Sequence, residues 1–147
     1  DNYFSQFKLI LQAPKQIQPV MKKTLNNLKI DFEINDFYSN IDEILTIAHI
    51  VISRAGAGTI NNIINYKIPS IIIPLPNSIY NHQYYNAKYL SDMNAAILLD
   101  EKNFNIDTTF KILKELMEKS KHQNMKNQLK KLILPNANKE IFQKIFI

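Results

Sequence analysis

The chain has 147 residues, a formal net charge of +5, no cysteine, two glycines (Gly56 and Gly58) and one arginine, Arg54. Its 46% hydrophobic content is enough for a core and excludes general disorder; no run of about 18 apolar residues or secretory signal pattern is present. Lack of cysteine excludes disulfides, thiolate metal sites and cysteine nucleophiles. The positive charge comes from lysines dispersed among abundant isoleucine and asparagine. That joint bias looks like an AT-rich coding sequence, and nucleic acid is not an expected partner.

In chain order, Phe7 to Leu11 predicts a strand, and Val20 to Leu28 a helix placed behind Pro19. Asp31 to Ile34 predicts a second strand. Ile41 to Ala48 predicts a short helix capped by Ser39 or Asn40, with Asp42 and Glu43 in its first turn. The β-branched run Ile50-Val51-Ile52 predicts a strand buried on both faces. A glycine turn follows, then a helix from Thr59 to about Tyr66. Ser70 to Ile73 predicts another buried strand, stopped by Pro74 and Pro76. A polar loop leads to a helix at Gln83 to Ser91, and Ala95 to Leu99 predicts the last strand. From about Ile106 the chain reads as helical and lysine-rich, broken near Pro135, with Phe110, Leu113, Leu116 and Met117 forming a core-facing stripe.

Alternating strands and helices imply an α/β fold: a Rossmann-like parallel sheet with helices on both faces. Residues 1–147 read as a single domain with a helical part at about 106–147. Asp1 is not a methionine start, so the chain is expected to be a piece of a longer protein or a processed one.

Ligands of open α/β sheets bind at the carboxyl ends of strands. Ser53-Arg54-Ala55-Gly56-Ala57-Gly58-Thr59 occupies such an end. Its glycines are expected to permit unusual backbone angles and close ligand approach. The amides of Gly58, Thr59 and Ile60 are expected to be free donors for an anion at a helix N-terminus. Arg54 could add a cation or serve as a structural ion pair, and Thr59 could be an N-cap. The third glycine of a dinucleotide fingerprint is replaced by Asn61. The loop from Pro74 to Gln83 leaves the next strand end, and its amides and His82 suit sugar hydroxyls. It also fits a solvent loop with Asn81 as N-cap. His49 and His122 read as structural or surface residues. No D-x-D motif is present; Asp31-Phe32-Glu33 comes nearest and lies in an expected strand, so no metal or other cofactor is expected.

Three segments in order, Ser53 to Thr59, Ile68-Pro69-Ser70-Ile71-Ile72-Ile73-Pro74 and Asn81-His82-Gln83-Tyr84-Tyr85-Asn86-Ala87, resemble the C-terminal half of the MurG family. The combination R-x-G-A-x-T, I-P-x-I-x-I-P and N-H-Q-x-x-N-A is fairly specific, and the resemblance spans about residues 7 to 134. The family implies a GT-B enzyme with two Rossmann-like domains. It is an inverting bacterial glycosyltransferase that transfers N-acetylglucosamine (GlcNAc) from UDP-GlcNAc to the lipid-linked muramyl-pentapeptide of peptidoglycan synthesis, lipid I to lipid II. It works on the inner face of the plasma membrane as a peripheral cytoplasmic protein. The eukaryotic transferase acting on dolichol-linked sugar shares the module.

By this resemblance, Phe37 and Tyr38 lie on the loop whose backbone meets uracil. Arg54, Gly56, Ala57, Gly58 and Thr59 surround the diphosphate and donor sugar. His82 and Gln83 stand where the family has a glutamine pair, and Asn86 is a further substrate contact. The family places a ribose-binding glutamate where this chain has Asn62. Its opening G-G-S phosphate loop and its N-terminal acceptor domain have no counterpart in the sequence. No residue is singled out as catalytic; the base, if one is used, would belong to the acceptor domain. Two other readings stay open: a UDP-sugar-binding module without activity of its own, and a nucleotide-binding domain with no sugar role.

Overall fold

The computed structural model describes residues 7–133. They form two compact units, divided between Glu43 and Ile44. In the first unit, β1 (Lys8–Gln12) and β2 (Asp31–Asn35) are parallel neighbours, with Lys8 opposite Asp31 and Gln12 opposite Asn35. Their connection carries α1 (Gln18–Asn27), which opens with proline in its first turn, where a missing N–H costs nothing. Next comes α2 (Ile41–Ile47), which spans the division between the units. Asn40 precedes it and donates from its side-chain amide to Glu43 Oε2 at 3.2 Å.

The second unit holds a three-stranded parallel ladder in the order β3 (Val51–Ser53), β4 (Ser70–Ile72), β5 (Ile97–Leu98). Helix α3 (Ala57–Tyr66) connects β3 to β4, and α4 (His82–Asp92) connects β4 to β5. Strand β4 is central and every residue in it is buried. It reads as the uninterrupted apolar run expected of a strand covered on both faces. Ile60, Ile63 and Ile64 of α3 share one helix face by their spacing, and with Ala87 and Leu90 of α4 they pack on Ile71 and Ile72. Leu116 of α5 (Ile106–Leu116) and Met125 and Leu129 of α6 (Lys119–Leu129) join the same core. The parallel strands with helices on both sides agree with the fold class expected from the sequence.

Three local expectations need correction. Ile52 is 47% exposed rather than buried, because β3 is the outer strand of its ladder. The helical C-terminal region breaks at Met117–Glu118, where Glu118 takes extended backbone (φ −61°, ψ 126°) and starts α6; Pro135 lies outside the described residues. The core-facing stripe of α5 is made by Ile112, Leu113 and Leu116, whereas Phe110 is 39% exposed.

Glycine scarcity leaves a mark on the backbone. Neither glycine has a positive φ, yet Lys29, Lys67, Asn77, Tyr80, Asn81 and Asn94 do. Lys67 ends α3 in the left-handed conformation (φ 56°, ψ 47°), a position usually filled by glycine because a Cβ is crowded there. Replacing Lys67 by glycine is therefore expected to raise unfolding stability by about 1 kcal/mol. Urea denaturation measures this, and a loss of stability would contradict the assignment of strain to this cap.

Candidate functional site: the strand exits of the second unit

Because β3, β4 and β5 run parallel, their carboxyl ends share one edge of the ladder. Ser53-Arg54 leaves β3, Ile73-Pro74 leaves β4, and Asp100-Glu101 follows β5. The backbone already links these exits: Ile73 N–H donates to Ser53 O and Leu99 N–H to Ile72 O, both at 2.9 Å.

The glycine turn differs from the expectation in its register. Helix α3 begins at Ala57, two residues early, with Gly56 as an extended N-cap (φ −64°, ψ 148°) and no side-chain cap bond. Thr59 is thus the third helical residue and not the cap. The Ile60 amide donates to Gly56 O at 3.0 Å, so the uncommitted amides are those of Ala57, Gly58 and Thr59. Such amides point out of the helix end, where the dipole favours negative charge.

Neither backbone angle nor packing within the chain requires glycine at these positions. A Cβ built on Gly58 would meet nothing within 4 Å, and one on Gly56 would lie 3.8 Å from Thr59 Oγ1. Gly58 therefore leaves its backbone uncovered toward open space. Asn62 stands one turn on, at i+4 from Gly58 and on the same helix face. It is partly buried, and its side-chain amide has no hydrogen-bond partner among the described residues.

Arg54 is committed elsewhere. Its Nη1 donates to Glu101 Oε2 at 2.9 Å and to the carbonyls of Ile73 and Pro74, each at 3.3 Å; Nη2 donates to Glu101 Oε1 at 3.3 Å. This two-pronged hydrogen bonding holds the Glu101 carboxyl below its ordinary value of 4.5, against the opposing effect of desolvation. A depressed carboxylate pKa means the pair is intact above the ordinary glutamate range and is lost only as pH falls through the lowered value.

The second loop is also tied down. Gln83 Oε1 accepts from Leu75 N–H at 3.0 Å, and Ser78 Oγ accepts from Gln83 N–H at 3.3 Å. Ser78 thus caps the start of α4, while Asn81, in the N-cap position, sits at φ 54° and makes no side-chain cap bond. The 3-10 turn before α4 (Ile79–Asn81) places Tyr80 and Asn81 consecutively in the left-handed region. His82 Nδ1 lies 2.7 Å from Ile79 O. A carbonyl only accepts, so Nδ1 carries a proton and donates, which leaves Nε2 without a partner among the described residues. Asn86 Nδ2 donates to Ala55 O at 3.0 Å and fastens α4 to the glycine turn.

Open clefts of about 270 Å³ and about 470 Å³ lie along the same edge. The first is lined by Ile52, Ser53, Arg54, Ile73, Glu101 and Phe104, the second mainly by residues 74–77 and 100–102. Gly56 to Thr59 line neither. In the first unit, Phe37 is 72% exposed, whereas Tyr38 is buried and its hydroxyl donates to Leu11 O at 3.3 Å. Glu33 pairs with Lys8 across β1 and β2 at 3.4 Å. His122 Nε2 donates to the backbone carbonyl of His49 at 2.9 Å. Among the described residues no three His, Cys, Asp or Glu side chains converge. Glu101 and Ser78 were not visible as site residues in the sequence. For Glu101 the available signal is that it lies three residues past the last strand, on the edge that carries the only arginine.

The model of the glycosyltransferase family 28 C-terminal domain matches residues 2–141. The chain belongs to this family. A transferase of Rickettsia typhi, named as UDP-N-acetylglucosamine–N-acetylmuramyl-(pentapeptide) pyrophosphoryl-undecaprenol N-acetylglucosamine transferase, is 40% identical over 102 residues, covering 69% of this chain and 26% of the relative. A transferase of the same name from a Drosophila simulans Wolbachia is 35% identical over 137 residues, covering 92% and 40%. The chain therefore spans only about a quarter to two fifths of the relatives it matches. Among solved structures, MurG of Acinetobacter baumannii superposes with a TM-score of 0.86 at 20% identity, covering 95% of this chain and 42% of that one. The glycosyltransferase VinC, solved with dTDP, superposes with a TM-score of 0.69 at 17% identity, covering 88% and 31%. At these identities the superpositions speak for the fold.

Asn86→Ala would leave the buried Ala55 carbonyl without its donor, which costs about 1–3 kcal/mol. Chemical denaturation of the variant is expected to show a loss in this range, and unchanged stability would mean that Asn86 does not hold the glycine turn.

Proposed function

We propose that this chain is the donor-binding part of an inverting N-acetylglucosamine transferase that uses UDP-GlcNAc and a lipid-linked muramyl-pentapeptide acceptor. The observation that carries this reading is the uncapped start of α3. It presents three uncommitted amides beside an open Gly58, at a strand exit, in a member of the glycosyltransferase 28 family. The diphosphate is assigned to the turn Gly56 to Thr59, and the ribose to Asn62. The sugar hydroxyls are assigned to His82 Nε2 and to Gln83, whose amide N–H groups have no partner among the described residues. Asn86 supports the turn through Ala55.

In the transfer, the acceptor sugar's 4-hydroxyl forms a bond to the anomeric carbon of GlcNAc while the bond from that carbon to the diphosphate oxygen breaks. Inversion follows from in-line attack, and UDP carries away the bonding electrons. Negative charge grows on the diphosphate, so fixed amides at the α3 terminus stabilise the transition state more than the ground state. The hydroxyl proton goes to a base that we assign, with the acceptor site, to an N-terminal domain. Metal-independent transfer is part of the proposal: of the nearest acidic pair, Glu33 is already paired with Lys8. No helix among the described residues is long and apolar enough to cross a membrane. An undecaprenyl acceptor then implies peripheral association with the inner face of the bacterial membrane.

A second reading is favoured by Asn62, which is shorter than the family glutamate and uncharged. On that reading the chain binds the donor without supporting transfer. Calorimetric titration with UDP-GlcNAc, UDP and NAD separates these possibilities from a dinucleotide site. Binding of UDP-GlcNAc and UDP but not NAD is expected, and preference for NAD would overturn the proposal. Asn62→Glu is expected to tighten UDP binding about fivefold, since charge-assisted hydrogen bonds exceed neutral ones by about 1 kcal/mol. No gain would mean that Asn62 does not face the ribose.

A further inference from the structure

The interactions at the strand exits close into a ring. Arg54 is joined to Ile73 and Pro74, Leu75 to Gln83, and Asn86 of the same helix back to Ala55, the neighbour of Arg54. The ring contains both candidate ligand loops, and Arg54 is its one cation. Glu101 stands outside the ring and accepts both prongs of the guanidinium. It fixes the plane of the fork, and with it the two bonds to the β4 exit. Four of the acceptor contacts near Arg54 are thus internal to the protein. Turning Nη1 toward a diphosphate would break the fork, because Nη1 serves Glu101, Ile73 and Pro74 together.

We infer that Arg54 and Glu101 form a clasp that positions the glycine turn and the loop 74–83 for the donor, and that neither side chain touches it. This inference rests on the donor-binding reading above and deepens it: a cation in the motif acts on the loops and not on the phosphate. The clasp is partly solvated, with 47% of the Arg54 side chain and 41% of the Glu101 side chain exposed. Exposed ion pairs contribute little to global stability. Its loss should therefore be felt in loop order and ligand affinity far more than in unfolding. The lowered Glu101 pKa agrees with a pair that stays ionised throughout the neutral range.

The sign of the effect at Glu101 separates this role from direct phosphate contact. If Arg54 bound the diphosphate, Glu101→Ala would release it and hold or improve affinity. A clasp predicts the opposite. UDP affinity of the whole chain is measured by calorimetry for Arg54→Ala, Glu101→Ala, the double variant and Glu101→Gln, together with thermal unfolding of each. Each single alanine variant is expected to weaken UDP binding about tenfold, and the double variant no more than either, because residues of one network do not add. Glu101→Gln keeps an acceptor for the fork and is expected to recover most of the affinity, while the melting temperature changes little in all four. Unchanged or improved affinity in Glu101→Ala, or full additivity in the double variant, would overturn the clasp. If the unaltered chain does not bind UDP, the donor-binding reading fails by itself. Hydrogen exchange at the Leu75 and Gln83 amides then decides the clasp: faster exchange in Glu101→Ala supports it, and unchanged exchange sinks it.

Discussion

Parallel pairing is the constraint on which the site depends. Val51 lies opposite Ser70 and Ile71 opposite Ile97, all in one direction, so each strand must hand its chain to a connection at the same edge. A parallel ladder cannot close by a tight turn, and its crossovers are helices. The starts of α3 and α4 consequently open on the same side as the strand exits. Buried β4 anchors this edge: its side chains are sealed between helices, and the loops that flank it inherit that fixed origin. The Ser78 cap and the Arg54 fork are local solutions to the polar groups that such an edge leaves unpaired, whereas the amides at the start of α3 stay uncommitted.

The near-absence of glycine acquires a physical meaning here. Two glycines remain, and neither is spent on a left-handed turn; Lys and Asn, with Tyr80, take those positions at some cost in strain. The packing around them leaves room at both positions. Gly58 carries no Cβ where a helix terminus faces open space, and Gly56 is an extended cap that leaves the terminal amides unshared. Both glycines of the chain lie at the start of α3.

Much of the second unit was legible in the sequence because its signals are local. Ser70 to Ile72 announces a buried strand through an unbroken apolar run ended by Pro74, and Ile60, Ile63 and Ile64 announce a helix face. The start of α3 was misread by two residues because Ala57 and Gly58 carry no polar cap to mark it, and that shift moved the free amides from Gly58–Ile60 to Ala57–Thr59. Exposure of Ile52 depends on strand order, which no short window contains. The Arg54–Glu101 pair spans 47 residues, and Asn86 to Ala55 spans 31; neither partner has a local pattern that names the other. Motif spacing singled out these segments, but which of their side chains brace the loops is fixed by these long-range contacts.

The glycine pair also offers the most direct measurement. In a nitrogen-15 NMR spectrum the two glycine amides of this chain fall in a sparse region and are readily followed. On titration with UDP, the Gly58 amide is expected to move with Ala57 and Thr59, among the largest changes in the spectrum, as these N–H groups meet the diphosphate. A titration in which UDP binds while the Gly58 resonance stays in place would contradict the assignment of the anion site to the start of α3.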